Sequence, residues 1–133
     1  MLDATARELL AGKNYAAFTT LSPGGQPSTQ LMWVGFDETH VLINTKRDRQ
    51  KLANVRRDPR VAVTVLEDGN PACYTEIRGR VVAIVGEPEA KQHFEQLSRK
   101  YTGAPWPNPT EGERVMLRIK PDRVRSHGNV RGA

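Results

Sequence analysis

Glycine and proline punctuate this chain at short intervals, and that spacing leaves room mainly for strands. Ser22-Pro23-Gly24-Gly25 and Asp68-Gly69-Asn70-Pro71 are strong turn signals, because proline fixes φ and glycine permits positive φ. Asp58-Pro59 ends any helix before it, since the residue preceding proline avoids helical backbone. Between these marks lie six runs of strand character: residues 15–21, 27–36, 39–45, 60–67, 73–85 and 114–125. The first three are expected to pair as an antiparallel meander, with Asp37-Glu38 as a tight connection. Gly79, inside the long fifth run, marks a bulge or a close approach of backbone.

Three segments have helical period instead. Residues 3–10 place Leu2, Ala6, Leu9 and Leu10 on one side, with Asp3 as N-cap and Gly12 as stop. Residues 47–57 put Leu52 and Val55 on one face and cover the rest with charge. Gly86-Glu87-Pro88 opens a third helix, with Pro88 near its first position and Ala90, Phe94, Leu97 and Tyr101 at helical spacing. A proline-rich loop, residues 103–112, follows it. With 133 residues the chain fits one domain, 1–133, with a core over about 9–125. Six strands with few helices predict a mainly β fold, a closed or partly closed six-stranded antiparallel barrel with peripheral helices.

Apolar runs such as residues 81–85 are too short to cross a bilayer, and no basic-then-apolar leader opens the chain. The single cysteine, Cys73, rules out an internal disulfide, and the expected compartment is the cytoplasm, away from membranes. His40 and His93 have no partner at metal-ligand spacing, so no metal is expected. The net charge of +5 favours an anionic partner. Its densest patch is Lys46, Arg47, Arg49, Lys51, Arg56, Arg57 and Arg60, opposed only by Asp48 and Asp58. Nucleic acid is disfavoured, because the two Trp, three Tyr and three Phe do not interleave with this run as stacking platforms.

The same patch carries the chemistry of a phosphate site. A strand ends in Asn44-Thr45 and hands over to a basic helix. A helix N-terminus offers unpaired N–H groups and partial positive charge. Thr45 adds a hydroxyl, Lys51 a full charge, and Arg49 a guanidinium that can fork onto phosphate. A solvated basic helix face is the plainer reading of the same residues.

Three stretches, in order, resemble the pyridoxamine phosphate oxidase-like split-barrel superfamily, and within it the coenzyme F420-dependent flavin/deazaflavin oxidoreductases of class B. The first is Ala17-Phe18-Thr19-Thr20-Leu21 with Gly25-Gln26-Pro27 and Trp33. The second, the most specific, is Ile43-Asn44-Thr45-Lys46-Arg47-Asp48-Arg49-Gln50-Lys51 running into Asn54-Val55-Arg56-Arg57-Asp58-Pro59-Arg60. The third is Tyr74-Thr75-Glu76-Ile77-Arg78-Gly79-Arg80-Val81.

The resemblance implies an FMN-binding split barrel, a homodimer with cofactor at its interface, and coenzyme F420 as cofactor, with FMN as alternative. It implies phosphate contacts from Thr45, Arg49 and Lys51, with Asn44 and Lys46 beside them. Gln30 and Met32 lie on a strand whose backbone meets the ring's polar atoms; Met32 and Trp33 are equally readable as core or dimer contacts. Tyr74 and Glu76 are implied to close the site of the second subunit, or Tyr74 is an ordinary interface aromatic. Arg56 and Arg57 are read as reaching the acidic tail of F420, or as solvated charges at a helix end. The implied reaction is hydride transfer from reduced deazaflavin to an electron-poor small molecule: an activated alkene, an enone or a quinone. The alternatives are an FMN-dependent pyridoxamine phosphate oxidase-like enzyme and a non-catalytic flavin or deazaflavin carrier. Tyr74 and the Pro105-Trp106-Pro107 loop are candidate walls of the substrate mouth, and His127 is a candidate substrate contact.

Overall fold

The structure, a computed structural model, describes residues 1–109 and 111–131. Helix α1 (Ala4–Ala11) begins at Asp3, whose carboxylate accepts the Ala6 N–H at 2.8 Å, and it buries Ala6, Leu9 and Leu10. Strands β1 (Ala16–Leu21) and β2 (Pro27–Met32) form the opening hairpin. A short β3 (Gly35–Phe36) then pairs with β4 (Val41–Lys46). Helix α2 (Gln50–Arg57) leads to β5 (Arg60–Glu67) and the long β6 (Asn70–Val85). Helix α3 (Glu89–Thr102) and β7 (Arg114–His127) complete the chain. The proline-rich stretch begins where Gly103 takes positive φ and ends α3.

The seven strands form one antiparallel sheet in the order β2-β1-β5-β6-β7-β4-β3. The mainly β, antiparallel expectation stands, but two details change. There are seven strands rather than six, and the first three do not form a meander. The expected second strand breaks at Trp33-Val34; its first part stays with β1 and its last two residues join β4 at the far end of the sheet. The two edges of the sheet are therefore one continuous stretch of chain, separated by Trp33 and Val34. Only a sheet that curls round on itself can satisfy that connection, since consecutive Cα atoms are ~3.8 Å apart. The product is a barrel split at this step.

Val34 is fully buried where neither ladder serves it, so its polar backbone needs other partners. Helix α3 supplies them. The Tyr101 hydroxyl accepts the Val34 N–H at 3.1 Å, and Lys100 Nζ donates to the Val34 carbonyl at 2.8 Å. Inside the barrel, Phe18, Ile43, Val63, Ile77, Leu117 and Ile119 form the core. Leu52 and Val55 seat α2 against it, as the spacing predicts.

One further boundary moves. Helix α2 starts at Gln50, after a turn at 47–49. Pro88 serves as N-cap of α3, directly before its first helical residue, as the sequence leads one to expect. Among the described residues no helix is long and apolar enough to cross a membrane.

Candidate functional site

The end of β4, the start of α2, the edge strand β2 and the start of β7 converge on one cleft of about 460 Å³. Gln30, Met32, Asn44, Thr45, Lys46, Arg49 and Lys51 all line it, joined by Arg114. The expected residues from two separate stretches of sequence thus meet in space. β2 pairs on one side only, so its outer backbone edge is open. Gln30 is exposed and donates to Ser28 Oγ at 2.9 Å, while Met32 packs partly on the core.

Arg49 is the N-cap of α2, and no side chain caps that end of the helix. The partial positive charge there adds to four full charges: Lys46, Arg49, Lys51 and Arg114. Register sets part of this cluster, because Lys46 pairs directly with Arg114 across β4 and β7. The four cations repel. Burial, then Arg49 and Arg114, lower the pKa of Lys51. Burial and Arg49 likewise lower that of Arg114, with Glu87 opposing. Like charges gathered in one cleft favour an anion between them.

Arg114 escaped the sequence reading. Its signal was weak: a lone arginine after a proline-rich loop, far in sequence from the basic run. Structure fixes it firmly. Its Nε donates to Asn44 Oδ1 at 2.8 Å, its backbone N–H to Glu87 Oε2 at 2.9 Å, and its guanidinium lies 4.2 Å from the Phe94 ring centroid. Asn44 is buried and holds Arg114 while its Nδ2 donates to the Ala90 carbonyl (2.7 Å) and to His93 Nδ1 (3.0 Å). Its local role is therefore to aim Arg114.

Trp33 backs the cleft. It stacks on Tyr101 at 5.2 Å and on Phe94 at 6.0 Å, and Trp106 meets it edge-on at 6.2 Å. The Pro105-Trp106-Pro107 loop thus sits at the border of the site, with the Trp106 N–H donating to Glu95 Oε2 at 3.2 Å. Arg47 is committed elsewhere, in a two-point ion pair with Glu113 at 2.9 and 3.1 Å.

Other expected residues lie outside this cleft. Arg57 donates to the Leu21 carbonyl and to Asn54 Oδ1, tying α2 to the end of β1. Arg56 is exposed on the same helix. Tyr74 stacks on His127 at 5.5 Å, its register partner on β7, and Glu76 faces Arg78 at 3.5 Å. Cys73 is buried, and burial followed by Glu67 and Glu8 raises its thiol pKa, so it is a poor nucleophile. Among the described residues no group of three or more His, Cys, Asp or Glu could hold a metal.

Known proteins share this architecture. A solved structure named F420 reductase superposes with a TM-score of 0.80 at 29% identity, over 90% of this chain and 94% of that one. The conserved hypothetical protein Rv2991 of Mycobacterium tuberculosis gives 0.73 at 30% identity, over 96% and 84%. General Stress Protein 26 of Bacillus anthracis gives 0.73 at 19% identity, over 92% and 91%, a likeness of fold alone. No curated protein matches the chain. The model of the family described as pyridoxamine 5'-phosphate oxidase matches residues 2–128, nearly the full length, and the chain belongs to that family.

Proposed function

We propose that this protein is an oxidoreductase that binds coenzyme F420 and reduces electron-poor small molecules such as activated alkenes, enones or quinones. The observation that carries the reading is the cluster of Lys46, Arg49, Lys51 and Arg114 at an uncapped helix N-terminus, beside an open strand edge. That donor set fits a phosphorylated ring cofactor. Lys51 and Arg49 hold the phosphate with the free N–H groups of α2. The backbone of β2 offers donors and acceptors to the polar edge of a ring. Trp33 and Phe94 give the cleft an apolar wall that keeps water from its floor.

When bound, F420 supplies hydride chemistry, so the protein needs to bind, orient and shield rather than provide an acid–base pair. Arg114, aimed by Asn44, gives the cleft more positive charge than one phosphate requires. This excess supports F420, whose tail is also anionic. FMN is the second reading, favoured by the family match itself. A two-fold dimer completes the proposal: Tyr74 and Glu76, remote from the cleft of their own chain, close the cleft of the partner.

Titration of the purified protein with F420 and with FMN tests this. Tighter binding of F420, weakened in Lys51→Ala, together with turnover of an enone or quinone, is expected. Preference for FMN moves the enzyme to the flavin branch, and binding of neither removes the proposal.

A further inference from the structure

A second cavity, of about 280 Å³, lies between α1, α3 and the β3–β4 pair. It shares only Leu97 with the cationic cleft, so it is a separate space. Its walls are mostly apolar, with Leu10, Phe36 and Leu42 among them; Gln96 also lines it but is exposed, while His93 and Lys100 bring hydrogen-bond donors that are buried and half-buried.

The hydrogen-bond network fixes the state of His93. Arg114 Nε–H needs an acceptor and finds Asn44 Oδ1, which turns Asn44 Nδ2 toward His93 Nδ1. Nδ1 therefore accepts, and the proton of the neutral ring sits on Nε2. Burial, followed by the charges of Arg114 and Lys100, keeps the ring neutral by lowering its pKa to about 4. His93 is only 6% exposed, and its Nε2 is buried with no partner among the described residues. An orphaned buried donor of this kind calls for an acceptor.

Lys100 poses the matching problem. Its Nζ donates to the Leu10 carbonyl at 2.5 Å and to the Val34 carbonyl at 2.8 Å and lies 4.8 Å from the Tyr101 ring centroid, leaving one N–H without an oxygen acceptor. No carboxylate pairs with it among the described residues. The end of α1 offers only partial negative charge. The ammonium is half-buried without a counter-ion, which is costly. Gly35 leaves the needed room: a Cβ there would stand 3.0 Å from His93 Nε2 and 3.4 Å from Leu97 Cδ2.

We propose that this cavity binds a small monocarboxylate with a short apolar chain, its carboxylate held by Lys100 Nζ and His93 Nε2–H, its chain against Leu10, Phe36 and Leu42. Two acceptor oxygens match the two donors that the fold leaves short of acceptors, and the apolar remainder of the wall suits a short chain rather than the further oxygens of a phosphate. The volume lies just under the ~300–1,000 Å³ usual for ligand pockets, which suits a ligand smaller than a drug-sized one.

The test is calorimetric titration of the full chain with hexanoate, with inorganic phosphate present to fill the cationic cleft, and with hexan-1-ol as neutral control. Saturable hexanoate binding is expected, with no measurable binding of the alcohol. Lys100→Met, which keeps the stem, should weaken hexanoate at least tenfold. Gly35→Ala, at a glycine without positive φ, should plug the space and abolish binding. In the unmodified protein, hexanoate should shift the His93 Nε2–H resonance, a readout that depends on no variant. Absence of saturable binding, an unmoved His93 resonance, hexanol binding as well as hexanoate, or loss in Lys51→Ala but not in Lys100→Met each overturns the assignment.

Discussion

Lys51 and Arg114 do different work in one cleft. Lys51 projects from the first turn of α2, while Arg114 is locked by Asn44 and Phe94. Charge-assisted hydrogen bonds contribute about 1.5–3 kcal/mol each. Lys51→Ala and Arg114→Ala should therefore each weaken the phosphorylated cofactor roughly 10–100-fold, read by titration. Asn44→Leu should cost less than Arg114→Ala, because it frees the guanidinium without removing it. Since the pKa of Lys51 is already lowered in the free cleft, anion affinity should fall as pH rises through that lowered value, before ordinary lysines titrate. His93 has the opposite pH dependence, in stability. Its folded pKa of about 4 lies below the ordinary 6.5, so the unfolded chain takes up the proton first. Stability contributed by the neutral ring is whole above about 6.5 and is lost as pH falls toward 4. The loss is on the order of 3 kcal/mol. Urea melts of the native protein and of His93→Gln across that window should diverge at the acid end. Of these residues, Asn44 and Lys51 were legible from one local stretch, Ile43 to Arg60. Arg114 was not, because its place depends on β7 pairing with β4, a contact between residues some seventy positions apart.

Strand and helix boundaries show a similar divide. Turn chemistry marked the β1–β2 and β5–β6 connections, and helical spacing of Leu52 and Val55 marked the buried face of α2. The break of the second strand at Trp33-Val34 had no local sign, since both residues favour strands. Its cause is tertiary: Tyr101 and Lys100, on another element, satisfy the backbone that leaves the ladder. Gly79 was legible as a bulge or close approach, and β6 shifts register against β7 between Arg78 and Gly79. A Cβ at that position would run into the Lys120 carbonyl oxygen, a backbone atom that cannot swing aside. Gly79→Ala should therefore destabilise the protein by about 1–3 kcal/mol, measured as a lower urea midpoint at unchanged slope. Leu52, only 1% exposed, anchors the helix that carries Lys51. Leu52→Ala should cost about 2–5 kcal/mol and also loosen the cofactor, linking core packing to the site.

The whole molecule exposes what a single barrel cannot cover. Leu31, on the edge strand β2, is 77% exposed, and Tyr74, on the central strand β6, is 38% exposed. The outer edge of β2 pairs with no strand, and natural sheets cover, charge or shorten such edges. A two-fold partner would cover Leu31 and bring its Tyr74 to the cationic cleft, solving both problems with one self-complementary surface. Sedimentation at micromolar concentration should then give twice the chain mass of 14.9 kDa. With the proposed dimer, Leu31→Asp should shift the protein toward monomer and weaken the cofactor together, because that dimer would put the edge and the cleft in one interface. Lys51→Ala should weaken the cofactor and leave the dimer intact. Linkage requires the reverse effect too: saturating cofactor should hold the Leu31→Asp variant in its dimeric form at concentrations where the free variant dissociates. A monomer that binds cofactor with unreduced affinity would separate the cleft from any partner and assign Tyr74 and Glu76 to the outer surface alone.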